Sequence, residues 1–594
     1  MTLFRAFREN RDAHADDAAF LIAAGDRSVP ITWRQFARDV ETVAFLIETR
    51  APGATIGLLG ENSYEWIVAH AACLFSGATV VPLEVTLAPE EIASRLAFVG
   101  AKVLVHSALY RERARAAGRL APGLYVAGFG TPGTDRAMEA ARAAFERSGT
   151  SVFDRPPRDA AETAMIVFTS GTTSRPRGAE LTLAGLSATC GCWAERLGLD
   201  PSARSLMLLP LHHSFGLSAT YTLLMRAVPV GVCPDFRRIY DAVERFRADR
   251  LFLVPALAEI FVAKVRRRGE TAEAALGFPV RWAVVGGAPL PSRLHADLEA
   301  LGIAPLAAYG LTETTALYSI SRADDRLREG TAGLTCPMAG MEMKVSDRGE
   351  LLVRGPAVMN GYFREPARTA EVLSADGWFR TGDLGRIDAD GIVRITGRAS
   401  RTIVLSSGKK VAPEELEDRL LSLPGVLEAV VSGDGPSREI RAEIYTECHE
   451  AEIRERVDAL NRELPVHMRI RAVALRREPF PRTPSGKIRA PAAPNGVWPR
   501  VPPPVVRRLF ARRSARMAFV LALLALGVLA VNLLPLLLGT AGVEIPDKLR
   551  AALDFMEEFG EALLAAAAVA AYLVMRRLFV GEAPDGEVKT EGRK

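Results

Sequence analysis

Cysteine is scarce in this chain. Six residues, Cys73, Cys190, Cys192, Cys233, Cys336 and Cys448, are scattered over 594 positions. The lone C-x-C pair, Cys190 and Cys192, has no second pair to complete a tetrahedral zinc site. Free thiols in a reducing compartment are the simpler reading. Charge of one sign is lacking too. A formal net charge of +5 is small for 64.2 kDa, and no zinc-finger or RNP-type signature is present, so no nucleic-acid partner is expected. The opening residues MTLFRAFRENRDAHADD have no apolar core after their basic residues. They do not form a signal peptide, and the catalytic part is expected in the cytoplasm. There is no internal repeat.

The sequence does have a globular composition, with 49% hydrophobic and 24% charged residues, and a length that calls for several domains. Short apolar runs at Ala54–Leu59, Ala78–Val81, Lys102–Val105, Leu251–Val254 and Arg281–Val285 read as buried strands. Helical patterns such as Pro89–Val99 and Ser292–Leu301 separate them. That alternation predicts an α/β fold with parallel sheets flanked by helices. Between Gly340 and Thr396 the texture changes to short strands, Glu350–Arg354 and Ile392–Thr396, broken by Gly and Asp. A small β-barrel or meander is expected there.

Residues 491–506, PAAPNGVWPRVPPPVV, are too rich in proline to continue a helix and read as an extended linker. Arg507, Arg508, Arg512, Arg513 and Arg516 follow, then the apolar run Met517–Gly539. At about 1.5 Å per residue its roughly 23 residues can cross a hydrocarbon core of about 30 Å. A second, alanine-rich segment, Ala562–Met575, precedes Arg576 and Arg577. Snorkelling arginines could extend it to a second span over 559–580; an interfacial or re-entrant helix is the alternative. Arginines flank this hairpin on both outer sides, and the acidic residues Glu544, Asp547, Asp554, Glu557 and Glu558 lie in the connection. The positive-inside rule then puts both ends in the cytoplasm. A multi-pass membrane anchor with lipid as a partner is the expectation, and the basic run could attract anionic headgroups.

The most informative motif is Met165-Ile-Val-Phe-Thr169-Ser170-Gly171-Thr172-Thr173-Ser174-Arg175-Pro176-Arg177-Gly178. An apolar strand runs into a loop dense in hydroxyls and glycine, where backbone N–H groups can approach phosphate oxygens. It is not a Walker loop, because G-x-x-x-x-G-K-[ST] is absent. Other motifs follow in order: Asn62-Ser-Tyr-Glu-Trp66 upstream, then Leu209-Pro-Leu-His212-His213-Ser-Phe-Gly216, Val285-Gly-Gly287-Ala288-Pro-Leu290 and Tyr309-Gly310-Leu-Thr312-Glu313-Thr314. Trp378-Phe-Arg-Thr381-Gly-Asp383, Gly397-Arg398-Ala-Ser400-Arg401 and Pro481-Arg-Thr-Pro-Ser-Gly486-Lys487-Ile-Arg489 complete the series.

Over about residues 10–490 this series resembles the adenylate-forming superfamily, which includes acyl- and aryl-CoA synthetases, peptide-synthetase adenylation domains and firefly luciferase. The segment Val404–Glu417 looks most like the long-chain acyl-CoA synthetase branch. The resemblance implies a large N-terminal domain over 1–397, made of two α/β subdomains and a small β-barrel. It also implies a small mobile α+β domain over 398–490. The linker 491–516, a first span 517–539, an outside loop 540–558, a second segment 559–580 and a polar tail 581–594 complete the expected plan.

The resemblance also implies roles. Thr169, Ser170, Gly171, Thr172, Thr173, Ser174 and Arg177 would hold the β- and γ-phosphates of ATP, with Gly287, Ala288 and Gly310 nearby. Tyr309 would stack on adenine, Thr312 would touch the α-phosphate, and Glu313 would hold Mg²⁺. Asp383 would bind the ribose hydroxyls and Arg398 the ribose and phosphate region. Lys487 would neutralise charge at the α-phosphate, and His213 would line the acyl pocket. Ser400 stands at the hinge about which the C-terminal domain rotates between half-reactions, where Asp or Lys is usual. The segment around Ser407, Gly408 and Lys409 would border the CoA channel. Ser174 and Arg177 replace the usual Gly and Lys of the phosphate loop; Arg keeps the charge but differs in shape and hydration.

The expected chemistry is activation of a carboxylic acid, preferably fatty, as acyl-AMP and its transfer to CoA. A carrier-protein pantetheine arm is a second acceptor that the motifs do not separate from CoA. A non-catalytic membrane scaffold on the same fold is the alternative of another class. The small residues Gly286, Gly287, Ala307 and Ala308 permit a deep acid pocket, with further lining expected from His213–Thr220 and Asp235–Ile239.

Overall fold

The computed structural model describes residues 2–25, 27–129, 134–148, 151–154, 159–169, 177–316, 318–321, 334–335, 340–405, 407–433, 439–481 and 488. Residues 1–500 form one compact unit. The second unit, 501–594, lies outside the described residues, and the two expected membrane segments with it. Among the described residues no helix is long and apolar enough to cross a membrane.

Two open sheets carry the larger part of the first unit. In the first, the strands run in the order Gly361–Tyr362, Arg177–Thr182, Thr163–Thr169, Thr79–Leu83, Thr55–Leu59, Val103–His106 and Tyr125–Gly128. Its five strands from Thr163–Thr169 onward are parallel, and the first two are added antiparallel at one edge. The second sheet places Arg250–Leu253, Trp282–Val285 and Ala304–Tyr309 in parallel, with Ser319–Ile320 and Leu334–Thr335 antiparallel beyond. Near-continuous apolar strands of this kind need helices on both faces to exclude water. The predicted strands at 54–59, 78–81, 102–105, 251–254 and 281–285 all form, shifted by a residue or two at their ends.

Local sequence explains the helices between them. In the helix Pro89–Val99, proline opens the first turn, Glu91 accepts from the Ala88 N–H at 3.2 Å, and Gly100 ends it at φ 69°. Ile92, Ala93, Leu96 and Val99 form its buried face, the spacing of an amphipathic helix. Ser63 caps the helix Tyr64–Ser76 by accepting from the Trp66 N–H at 3.2 Å. The core packs edge-to-face aromatics, among them Phe7 with Trp33 at 5.6 Å and Phe20 with Phe36 at 5.1 Å. Such pairs add about 0.5–1.5 kcal/mol beyond burial alone.

The stretch from Gly340 onward is a four-stranded antiparallel sheet, with Glu342–Val345, Glu350–Arg354, Phe379–Ile387 and Val393–Arg398 in that order. The meander expected from sequence is thus present. Beyond it, a short hairpin (Ile403–Val404 with Lys410–Val411) precedes a three-stranded sheet, Glu428–Ser432, Arg441–Tyr445 and Ala472–Arg476. The helices Pro413–Leu421 and Glu450–Glu463 accompany this sheet, an α+β arrangement.

Candidate active site

Both open sheets present chemistry at the carboxyl ends of their parallel strands, where α/β proteins place ligands. In the first, Thr163–Thr169 and Arg177–Thr182 make a hairpin whose closing pair is Thr169 with Arg177. The hydroxyl-rich loop is therefore carried on an anchored stem. Ser170, Gly171, Thr172, Thr173 and Ser174 themselves lie outside the described residues.

In the second sheet, Tyr309 ends the strand Ala304–Tyr309. Its hydroxyl donates to Asp383 Oδ2 at 2.9 Å. Arg398 meets the other carboxylate oxygen, Nε to Oδ1 at 2.6 Å. Asp383 and Arg398 are cross-strand partners in the antiparallel sheet, so register alone puts them side by side. Asp383 is 4% exposed, and a buried carboxylate persists only with such partners. Burial, then the neighbouring Asp383 charge, pushes the Tyr309 pKa well up, keeping the phenol a donor at neutral pH. Tyr309 and Arg398, each expected at the nucleotide, here satisfy the carboxylate expected to take the ribose.

Directly after Tyr309 and Gly310 the chain makes a single 3₁₀ turn, Thr312–Thr314. Thr315 and Ala316 follow with φ of 53° and 90°. A β-branched residue rarely adopts that region. Thr315 is held there by its own hydroxyl, which donates to the Ala357 carbonyl at 2.8 Å, and by Ser218, whose hydroxyl donates to the Thr315 carbonyl at 3.2 Å. The constraint fixes the turn that presents Thr312 and Glu313. The Glu313 carboxylate accepts from the Tyr362 hydroxyl at 2.8 Å. Among the described residues no cluster of three or more His, Cys, Asp or Glu could hold a metal by itself. A lone carboxylate could hold Mg²⁺ only together with water and substrate phosphates, the way that ion binds beside one or two carboxylates.

The histidine motif is positioned by Asn62. Its side chain donates to the Leu209 carbonyl at 2.9 Å and accepts from the Leu211 N–H at 3.0 Å. The helix Ser214–Met225 then starts with His213 as its N-cap. Gly216 is required in its first turn, since a Cβ there would stand 2.5 Å from the Pro210 carbonyl oxygen. The rings of His212 and His213 are 4.3 Å apart. The packing around His212, then His213 and Arg95, hold its pKa well below the usual histidine value, so it is neutral at pH 7. The space beside the small residues Gly286 and Gly287 is not vacant. A Cβ on Gly286 would lie 3.2 Å from Phe215 Cζ, and one on Gly287 would lie 3.9 Å from Phe215 Cδ1. The small side chains expected to deepen a pocket make room for this ring.

Residues 7–363 match the model of the AMP-binding enzyme family, and residues 400–495 match that of the AMP-binding enzyme C-terminal domain. The chain belongs to this family. It is 32% identical to the long-chain-fatty-acid–CoA ligase FadD15 of Mycobacterium tuberculosis, over 64% of this chain and 71% of that one. It is 30% identical to a feruloyl-CoA synthase of Amycolatopsis, over 68% and 80%. The crystal structure of ATP-bound MatB from Rhodopseudomonas palustris superimposes with a TM-score of 0.70 and 26% identity, covering 82% of this chain and 97% of that one.

In this AMP-binding enzyme the exposed Ser400 lies in the turn Ala399–Arg401, immediately after the strand that bears Arg398. Arg401 ties that turn to the helix Pro413–Leu421 through Glu414 at 3.1 Å and Glu417 at 2.6 Å. Ser407, Gly408 and Lys409 are exposed at the tip of the hairpin, with Gly408 at φ 77°. Lys487 lies outside the described residues. Two features escaped the sequence reading. Tyr362 sits in the unremarkable run Asn360–Phe363, and only strand pairing brings it to Glu313. Ser292, the first residue of the helix Ser292–Ala300, donates its hydroxyl to Asp418 at 3.2 Å, a contact across 126 residues that no local pattern announces.

Proposed function

We propose that this protein is an AMP-forming acid–CoA ligase whose substrate is an apolar, preferably fatty, carboxylic acid. A carboxylate is a poor acyl donor because its leaving group would be oxide. In the first half-reaction one carboxylate oxygen attacks the α-phosphorus of ATP. The bond to the β-phosphate bridging oxygen breaks, pyrophosphate leaves, and acyl-AMP remains. In the second, the CoA thiol adds to the acyl carbonyl. The thioester forms, AMP departs, and the thiol proton is released.

The observation that carries this reading is the convergence of Tyr309, Asp383 and Arg398 beside the constrained Thr312–Glu313 turn. Asp383, with a cation on one oxygen and a phenol on the other, is built to accept from ribose hydroxyls. Thr312 and Glu313 follow three and four residues after Tyr309, which suits them to the α-phosphate and to a divalent cation. A Mg²⁺ held there would screen the phosphate charge that repels the incoming carboxylate. The stem residues Thr169 and Arg177 would bound the β- and γ-phosphates. Lys487 would supply positive charge during adenylation, and rotation about Ser400 would exchange it for the Ser407–Lys409 segment and CoA. His213 and Phe215 would line the acid pocket. The apolar run Met517–Gly539 and its arginines support anchorage to a membrane with the catalytic part on the cytoplasmic side, where fatty acids partition.

The test is pyrophosphate release from MgATP over a panel of carboxylic acids, with and without CoA. Release with long-chain acids, and acyl-CoA only when CoA is added, is the expected result. Adenylate formation without transfer to CoA would move the acceptor to a carrier-protein pantetheine. No release with any acid would overturn the enzyme reading in favour of a scaffold.

A further inference from the structure

Glu313 and Tyr362 are 49 residues apart in sequence and hydrogen-bonded in the fold. Tyr362 is 5% exposed and belongs to a two-residue strand paired with the phosphate-loop stem, opposite Ala179. The pairing is continued on both sides. The Asn360 N–H donates to the Glu180 carbonyl at 2.9 Å, and the Phe363 N–H donates to the Gly178 carbonyl at 2.8 Å. The Tyr362 N–H donates to Thr369 Oγ1 at 2.9 Å. One residue before this run, the Met359 N–H donates to the Glu313 carbonyl at 2.8 Å. The backbone and the carboxylate of Glu313 are thus tied to the same short segment. The Arg177 guanidinium lies over the Tyr362 ring, 5.4 Å from its centroid. A tyrosine hydroxyl is protonated at neutral pH and donates to the carboxylate it faces.

A glutamate carboxylate on three rotatable bonds samples many directions, and fixing one oxygen removes most of that freedom in advance. The bond uses Oε1. We propose that Tyr362 is a positioning residue: its hydroxyl sets Glu313 so that Oε2 faces a divalent cation arriving with the nucleotide, and its ring couples that setting to Arg177 at the stem of the phosphate loop. The inference rests on the metal role given to Glu313 above. Outer partners of this kind typically govern about 10- to 100-fold in metal affinity.

The test uses the full chain and the unreactive probe α,β-methylene-ATP, with no acid present. Its affinity is measured by calorimetry in EDTA and again in saturating Mg²⁺, for the wild type, Tyr362→Phe, Glu313→Gln and the double variant. Phenylalanine keeps the buried ring beneath the Arg177 guanidinium and deletes the hydroxyl that donates to Glu313. The expected result is an unchanged affinity in EDTA and a loss of about tenfold or more of the Mg²⁺-dependent tightening. Glu313→Gln should lose it as well, and the double variant should lose no more than Glu313→Gln alone. A Tyr362→Phe protein that keeps the wild-type Mg²⁺ effect, or that weakens equally with and without metal, would overturn the positioning role while leaving Glu313's role intact. A wild type whose affinity ignores Mg²⁺ would overturn the metal role of Glu313 and this inference with it.

Discussion

Replacing Phe215 by alanine should change which acids this enzyme prefers. The ring stands in the first turn of the helix that follows His213, against Gly286 and Gly287. It also meets Trp193 edge-on at 5.9 Å. The vacated space is roughly as long as three methylene groups, and each buried methylene contributes about 0.8 kcal/mol. The gain for a chain longer by that amount is then about 2.4 kcal/mol, or about fiftyfold in kcat/KM. Removing a fully buried phenylalanine costs about 3–5 kcal/mol of stability; Phe215 is half-buried, so a loss of about 2 kcal/mol is expected. The assay is pyrophosphate release across saturated acids from short to long chain. The optimum should move to longer acids, and the shortest should lose activity because they no longer fill the site. A uniform fall at every chain length, with the optimum unmoved, would refute the assignment of Phe215 to the acid pocket.

Lys487→Ala should slow adenylate formation by about a hundredfold or more, the scale for removing one charge-stabilising group, while sparing thiolysis of supplied acyl-AMP. Equal loss of both half-reactions in rapid-mix assays would contradict its role. On the proposed anchorage through Met517–Gly539, ending the chain at about residue 505 should release an active enzyme from the membrane pellet, since about 20 apolar residues suffice to span a bilayer; a truncate still in the pellet would sink the anchor. His70 is fully buried, its Nδ1 2.9 Å from the Tyr221 hydroxyl, and burial lowers its pKa to about 3. Below about pH 6.5 the unfolded chain binds a proton that the folded chain refuses, so stability falls as pH drops towards 3. Between pH 7 and pH 5 this group should account for about 2 kcal/mol of lost stability. His70→Gln should show a correspondingly smaller loss in urea titrations at the two pH values, and an identical loss would refute the linkage.

Much of the α/β framework was legible because it is local. The apolar runs at 54–59 and 281–285 can be nothing but buried strands once helical spacing lies between them. Pro89, Glu91 and Gly100 punctuate their helix within one turn of each end. Strand ends shifted by a residue or two because hydrogen-bond pairing, not hydropathy, sets where a ladder stops. The small residues at 286, 287, 307 and 308 were read as pocket space. A side chain from another element, Phe215, takes the part beside Gly286 and Gly287, and sequence spacing carries no information about such an occupant.

Sequence by itself determined the residue types that adenylate chemistry needs and their order along the chain: a hydroxyl-rich loop, an acid after Y-G-x-T, an aspartate in T-G-D and an arginine fifteen residues on. Tertiary structure alone decided who touches whom. Asp383 meets Arg398 because a sheet register places them opposite, and it meets Tyr309 because two separate sheets end at the same place. Glu313 meets Tyr362 because an edge strand of two residues docks on the strand Arg177–Thr182. Contacts of this kind depend on pairing between distant segments. Their free energy comes from burying and satisfying polar groups together, which no single segment can do alone.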